Sequence, residues 1–104
     1  MRIRTHPGTI LANELQELGM SAHAFSMAIG VPVTRIGDIL KLRRAVTSET
    51  ALRLARYFGG SPNVWMNMQT AYDLSVAEKK HGKKIRATVR RLSKPKNRKA
   101  QASA

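Results

Sequence analysis

Apolar residues recur along this chain at intervals of three and four, and no stretch alternates as a strand would. Turn and cap residues divide the pattern into five predicted helices. The first opens at Pro7 and runs to Leu18, with Ile10, Leu11, Leu15 and Leu18 as its inner stripe. A proline suits a first turn, where its missing N–H would have no partner. Gly19 stands where a left-handed terminal residue is wanted. Ser21 is placed to cap the second helix, with Ala24, Phe25, Ala28 and Ile29 turned inward. Gly30 ends that helix, and Val31-Pro32 leads into a third over Val33–Leu40. Thr47 or Ser48 caps a fourth, "ETALRLARYF", in which Leu52, Ala55 and Phe58 share a face. Gly59-Gly60 stops it, and Ser61-Pro62 restarts the chain with an N-cap and a first-turn proline. The fifth, "NVWMNMQTAYDLSVAEKK", carries Val64, Trp65, Met68, Ala71, Tyr72 and Leu74. The expected fold is all-α, a bundle of five helices.

The second and third helices are below the length of about 12 residues at which isolated helices persist in water. They must brace each other across a tight turn, and that arrangement is the helix-turn-helix, whose second member enters the DNA major groove. Helix three passes the angular test. At about 100° per residue, Val33, Ile36, Ile39 and Leu40 gather on one arc, and Thr34, Arg35, Asp38 and Lys41 fall on the opposite one. Arg35 can donate two parallel hydrogen bonds to guanine O6 and N7. Thr34 can bond a base edge or a phosphate. Asp38 is repelled by phosphate, so it would accept from a cytosine amine or orient Arg35. Lys41, Arg43 and Arg44 are placed to grip phosphates beside the groove, which sets affinity and register rather than sequence preference. Ser21 and His23, at the start of helix two, complete the candidate DNA contacts. Gly37 costs about 1 kcal/mol against alanine in a helix interior; a close backbone approach to DNA and simple tolerance explain that equally well.

Charge refines the division of the chain. The net charge is +13. Residues 1–78 hold eight basic and six acidic side chains, whereas residues 79–104 hold eleven basic and no acidic ones. The basic excess therefore belongs to the tail, and DNA binding by the bundle must be argued from one face of it. Residues 1–80 are expected to form the helix-turn-helix domain. Residues 81–104 are expected to form a basic, largely disordered tail, with 83–92 helical on binding and 94–104 disordered. Cysteine is absent, which removes disulfides and thiolate metal sites. The start "MRIRTHPGTI" lacks a signal-like apolar stretch and no run is long enough to span a membrane, so a cytoplasmic, nucleoid-associated location is expected.

At this point the residues match a known pattern. "SAHAFSMAIGVPVTRIGDIL" resembles the lambda-repressor-like (Cro/XRE) helix-turn-helix. The wider run from His6-Pro7-Gly8 through "TALRLARYFG" and "SPNVWMNMQTAYDL" is similar to the HigA family of antitoxins, VapI-like proteins included, over about residues 3 to 78. The resemblance implies a small all-α homodimer that represses its own operon at a palindromic operator. It also implies a partner, a HigB-type toxin that cleaves mRNA and has a RelE-like fold. Three departures from the family pattern bear on operator preference: Ala22 where many members carry Gln, the region of Gly37, near which Asn or Ser is usual, and Leu42 where Gly is usual. The alternative is a stand-alone XRE-type repressor with no toxin.

The remaining features carry less. Trp65, Met68 and Tyr72 form a stripe expected to be core, with part of it facing a second subunit. His6, His23 and His81 share no metal-ligand spacing, so neither a metal nor another cofactor is expected. No acid–base pair is positioned for catalysis, so an enzyme is not expected.

Overall fold

The helices begin and end where the cap residues place them. In the computed structural model, which describes residues 2–93, the chain forms α1 (Pro7–Leu18), α2 (Ala22–Ile29), α3 (Val33–Leu40), α4 (Ser48–Phe58) and α5 (Pro62–Thr88). The expectation of disorder over 94–104 lies outside the described residues. Four N-termini are closed by side chains. His6 Nδ1 accepts from the Gly8 amide at 2.8 Å, Ser21 Oγ from Ala24 at 3.0 Å, Thr47 Oγ1 from Thr50 at 3.4 Å and Ser61 Oγ from Asn63 at 3.1 Å. Each such cap is worth about 1 kcal/mol.

The break between α2 and α3 has a direct physical cause. Gly30 adopts φ 71°, a left-handed conformation that ends α2, and its amide donates to the Ser26 carbonyl. Val31 then drops into the core, and Pro32 starts α3 with its carbonyl accepting from Arg35 and Ile36. The turn is pinned from outside as well. Arg53 of α4 donates through Nη1 to the Ile29 carbonyl at 2.8 Å.

One core unites the five helices: Leu11 and Leu15 of α1, Phe25 and Ile29 of α2, Ile36 and Ile39 of α3, Ala51 and Leu54 of α4, and Trp65 of α5, with Val31 and Val46 from the turns. Fully burying side chains of this size stabilises by about 1.5–3 kcal/mol each, and this burial holds helices too short to stand alone. The aromatic part runs from Phe25 through Phe58 to Trp65, with ring centroids 5.6 and 6.1 Å apart. Polar groups tie in the loops. Gln69 Oε1 accepts from the Val46 amide at 2.8 Å, and Ser75 Oγ accepts from the Arg4 amide at 2.9 Å.

Several side chains expected inside lie outside. Leu18, Val33, Leu52, Val64 and Leu74 are exposed, as are Ala24 and Ala28. The inner face of α4 is Thr50, Ala51, Leu54 and Ala55, so Leu52 is turned off it. On α5 the buried line is Trp65, Gln69 and Ser75, because polar groups that satisfy backbone atoms can occupy an interior position. The fifth helix also does not stop near residue 80. It continues unbroken to Thr88, and Glu78 and Arg86 pair across Gly82 on its surface. The segment 83–88, expected to be helical on binding, is part of this helix.

Candidate nucleic-acid interface

Helix α3 sits with Ile36 and Ile39 sunk in the core, which fixes its rotation about its own axis. The opposite side is open. Thr34 and Lys41 are exposed, and Arg35 and Asp38 are partly so. Arg43 and Arg44 follow directly after the helix and are exposed too. The face expected from the angular argument therefore exists as one surface, with four cations on it or beside it. Ser21 and His23 are exposed at the first turn of α2. The Ser21 hydroxyl is engaged as the N-cap, and the His23 carbonyl accepts from Ser26 Oγ at 2.7 Å.

Ion pairing within this face differs from expectation. Asp38 does not orient Arg35. Its carboxylate lies 3.8 Å from Arg43 Nε and 3.9 Å from Arg44 Nη2, and its main-chain oxygen accepts from the Arg43 amide. Arg35 is held instead by Glu49 of α4, with Nη1 3.5 Å from Oε1. Glu49 in turn faces Arg53 Nη2 at 3.4 Å. The Glu49–Arg53 pair was visible in the sequence as an i,i+4 spacing on a helix. Its reach to Arg35 was not, because that contact depends on how α3 and α4 cross. Exposed pairs at these distances are worth about 0–1 kcal/mol, so they bias rotamers rather than lock them.

Two glycines and a leucine shape the ground beneath the face. No atom lies within 4 Å of where a Gly37 Cβ would be, so the front of α3 is open at that point. Gly8 is the reverse: a Cβ there would come within 2.0 Å of the Ile39 carbonyl oxygen, so α1 is seated directly on the last turn of α3. Leu42 takes φ 63° just past that turn. A left-handed leucine is costly, by about 1–2 kcal/mol, and the glycine that the resemblance leads one to expect there would not bear that cost.

His6, Trp65 and Tyr72 make contacts within the bundle. The buried His6 ring caps α1 and meets Tyr72 edge-on with centroids 4.7 Å apart. Burial lowers its pKa from the ordinary 6.5, against the opposing pull of Asp73, which keeps Nδ1 available as an acceptor. Trp65 packs on Phe58, and Met68 lies half-buried against the core. The large apolar side chains that α5 leaves exposed are Val64, Leu74 and Ile85, while Met68 and Tyr72 are half-buried and Trp65 is buried. Among the described residues, no helix is long and apolar enough to cross a membrane.

A five-helix domain whose second short helix is braced at the surface, polar side outward, defines a helix-turn-helix protein. The helix-turn-helix family model matches residues 11–65. Virulence-associated protein I of Dichelobacter nodosus is 54% identical over 74 residues, 70% of this chain and 68% of that one. Two solved structures are equally informative. An addiction module antidote protein of the HigA family from Coxiella burnetii is 44% identical, with a TM-score of 0.84 over 88% of this chain and 100% of that one. The Pseudomonas aeruginosa antitoxin HigA, solved with the higBA promoter, is 37% identical, with a TM-score of 0.82 over 85% of this chain and 97% of that one. The chain belongs to the helix-turn-helix family, in its XRE-type branch, and its structural neighbours are HigA-type antitoxins.

Proposed function

We propose that this protein is the antitoxin of a HigBA-type module, which binds a palindromic operator in its own promoter as a dimer and silences an mRNA-cleaving toxin of the RelE-like fold. The observation that carries the DNA part is the outward polar face of α3, with Thr34, Arg35 and Asp38 along it and Arg43 and Arg44 just past its end. Likeness to an antitoxin solved with promoter DNA supports the same reading. Arg35 reads guanine, Thr34 meets a base or a phosphate, and Lys41, Arg43 and Arg44 hold the backbone, with Ser21 and His23 contributing from α2. Asp38 lies beside Arg43 and Arg44 and biases their rotamers. A dimer places two copies of α3 about 34 Å apart, one helical turn of duplex, and the half-buried Met68 and Tyr72 over the buried Trp65, with the exposed apolar positions of α5, would form its seam. The basic segment 81–104 adds sequence-independent affinity to the reading domain, residues 1–80, although α5 crosses that division without a break.

The test has two arms. Selection from a random duplex library by the full chain should recover a two-fold symmetric site, and Arg35→Ala should lose discrimination at one position of each half-site by about 1–3 kcal/mol. Arg43→Ala should weaken every sequence alike and flatten the salt dependence. Co-expression with the product of the adjacent reading frame should recover a small basic protein bound to the chain. No enriched duplex would overturn the DNA reading. An enriched duplex with no bound protein would leave a stand-alone repressor.

A further inference from the structure

Arg35 is held from outside its own helix, and the hold leads back to the helix-turn-helix turn. Arg53 Nη1 is fixed on the Ile29 carbonyl at 2.8 Å, while its Nη2 faces Glu49 Oε2 at 3.4 Å. The other oxygen of that carboxylate, Oε1, faces Arg35 Nη1 at 3.5 Å. The acceptor behind Arg35 is therefore anchored at one end, on a backbone atom of the same motif that carries α3. Glu49 itself is exposed, with 62% of its side chain accessible, so nothing in the core demands a carboxylate there. The first turn of α4 favours an acid through the helix dipole, but an acidic group beside a DNA-binding face also opposes phosphate.

We propose that Glu49 is a positioning residue that determines specificity, by holding the Arg35 guanidinium for a base edge and away from the phosphate backbone. The proposal rests on Arg35 as the reading residue. An unrestrained arginine on an exposed helix swings to the nearest phosphate, a contact that every sequence offers equally. A guanidinium tethered through Nη1 keeps its remaining donors for guanine, whose two acceptors match the planar fork. Any phosphate drawn toward Arg35 also meets the Glu49 carboxylate. The pair is weak enough to be shared when guanine arrives, so the tether penalises non-specific contacts more than specific ones.

The experiment compares a duplex selected from a random library with a scrambled duplex of the same composition, using the full chain. Glu49→Gln should bind the scrambled duplex about three- to tenfold more tightly at 0.1 M salt, and its salt slope should steepen by about one as Arg35 takes up a phosphate. Affinity for the selected duplex should change by less than about twofold, so the selectivity ratio falls. Glu49→Asp keeps the charge but draws it back from Arg35, and it should lower the ratio as well. In an Arg35→Ala background, Glu49→Gln should leave scrambled-duplex affinity within about twofold. An equal gain with and without Arg35 would mean that Glu49 acts through its charge alone, and would overturn the proposal. An unchanged ratio in Glu49→Gln would overturn it too. If Arg35→Ala by itself leaves the ratio intact, Arg35 is not the reader, and the functional reading of α3 fails with the proposal.

Discussion

Replacing Gly8 with alanine tests how α3 is seated. The added Cβ would stand 2.0 Å from the Ile39 carbonyl oxygen and 3.0 Å from both the Ile39 carbonyl carbon and Leu42 Cδ2. A carbon beside a carbonyl oxygen settles at about 3.3 Å, so α1 and α3 must part by roughly 1 Å. Backbone forms the obstacle, and no rotamer change relieves it. Overpacking of this kind costs about 1–3 kcal/mol or more. Alanine's helix preference returns at most about 1 kcal/mol, and less in a first turn. A net loss near 2 kcal/mol lowers the melting temperature by roughly 10 °C for a domain of this size. Thermal melting followed by circular dichroism measures it. The helix displaced is the one proposed to read DNA, so selectivity for the selected duplex should also fall at temperatures where the variant is fully folded. A melting temperature equal to or above that of the parent, with selectivity intact, would refute the close seating of α1 on α3.

Three further outcomes follow from the same geometry. Gly37→Ala meets no atom within 4 Å and should stabilise the fold by about 1 kcal/mol in a denaturant titration; weaker duplex binding despite that gain would show that DNA backbone approaches this spot. Leu42→Gly should be about 1 kcal/mol more stable than Leu42→Ala, since both lose the side chain but only glycine relieves the left-handed φ of 63°; equal stabilities would remove the strain argument. Burial holds the His6 pKa below 6.5, so the unfolded chain takes up a proton that the folded chain resists. The stability that depends on a neutral His6 is complete above pH 6.5 and declines as pH falls from there to the folded pKa, levelling off below it. Urea melts between about pH 7.5 and 5.5 should show this slope, and His6→Asn should abolish it.

Much of this architecture was legible because its punctuation is local. Gly30, Pro32, Ser21, Thr47 and Ser61 act on the backbone within a few residues, so the positions of the helix ends could be read directly. The inward and outward faces of α3 were legible too, since eight residues with two isoleucines one turn apart leave one plausible rotation. Faces elsewhere were harder. Leu52 and Leu74 are as apolar as Leu54, and only the crossing of α4 and α5 decides which leucine is covered. Gln69 and Ser75 are polar, yet they are buried because the Val46 and Arg4 amides need acceptors there. The role of Glu49 is hidden in the sequence for a similar reason: its contact with Arg35 joins two helices through residues fourteen apart in the chain. The significance of His6-Pro7-Gly8 was visible only as a resemblance, until the Ile39 carbonyl supplied the steric cause.

The length of α5 has a consequence for how a polyanion approaches. Its core-facing residues end at Ser75, apart from Gly82 beneath the Glu78–Arg86 pair, yet the helix runs on to Thr88. At about 1.5 Å per residue it overhangs the bundle by roughly 20 Å. Lys79, Lys80, Lys83, Lys84 and Arg86 ride on that overhang. Carried on a rod instead of a leash, their field has a fixed bearing, and a duplex bound as proposed above would be turned by it before any base is touched.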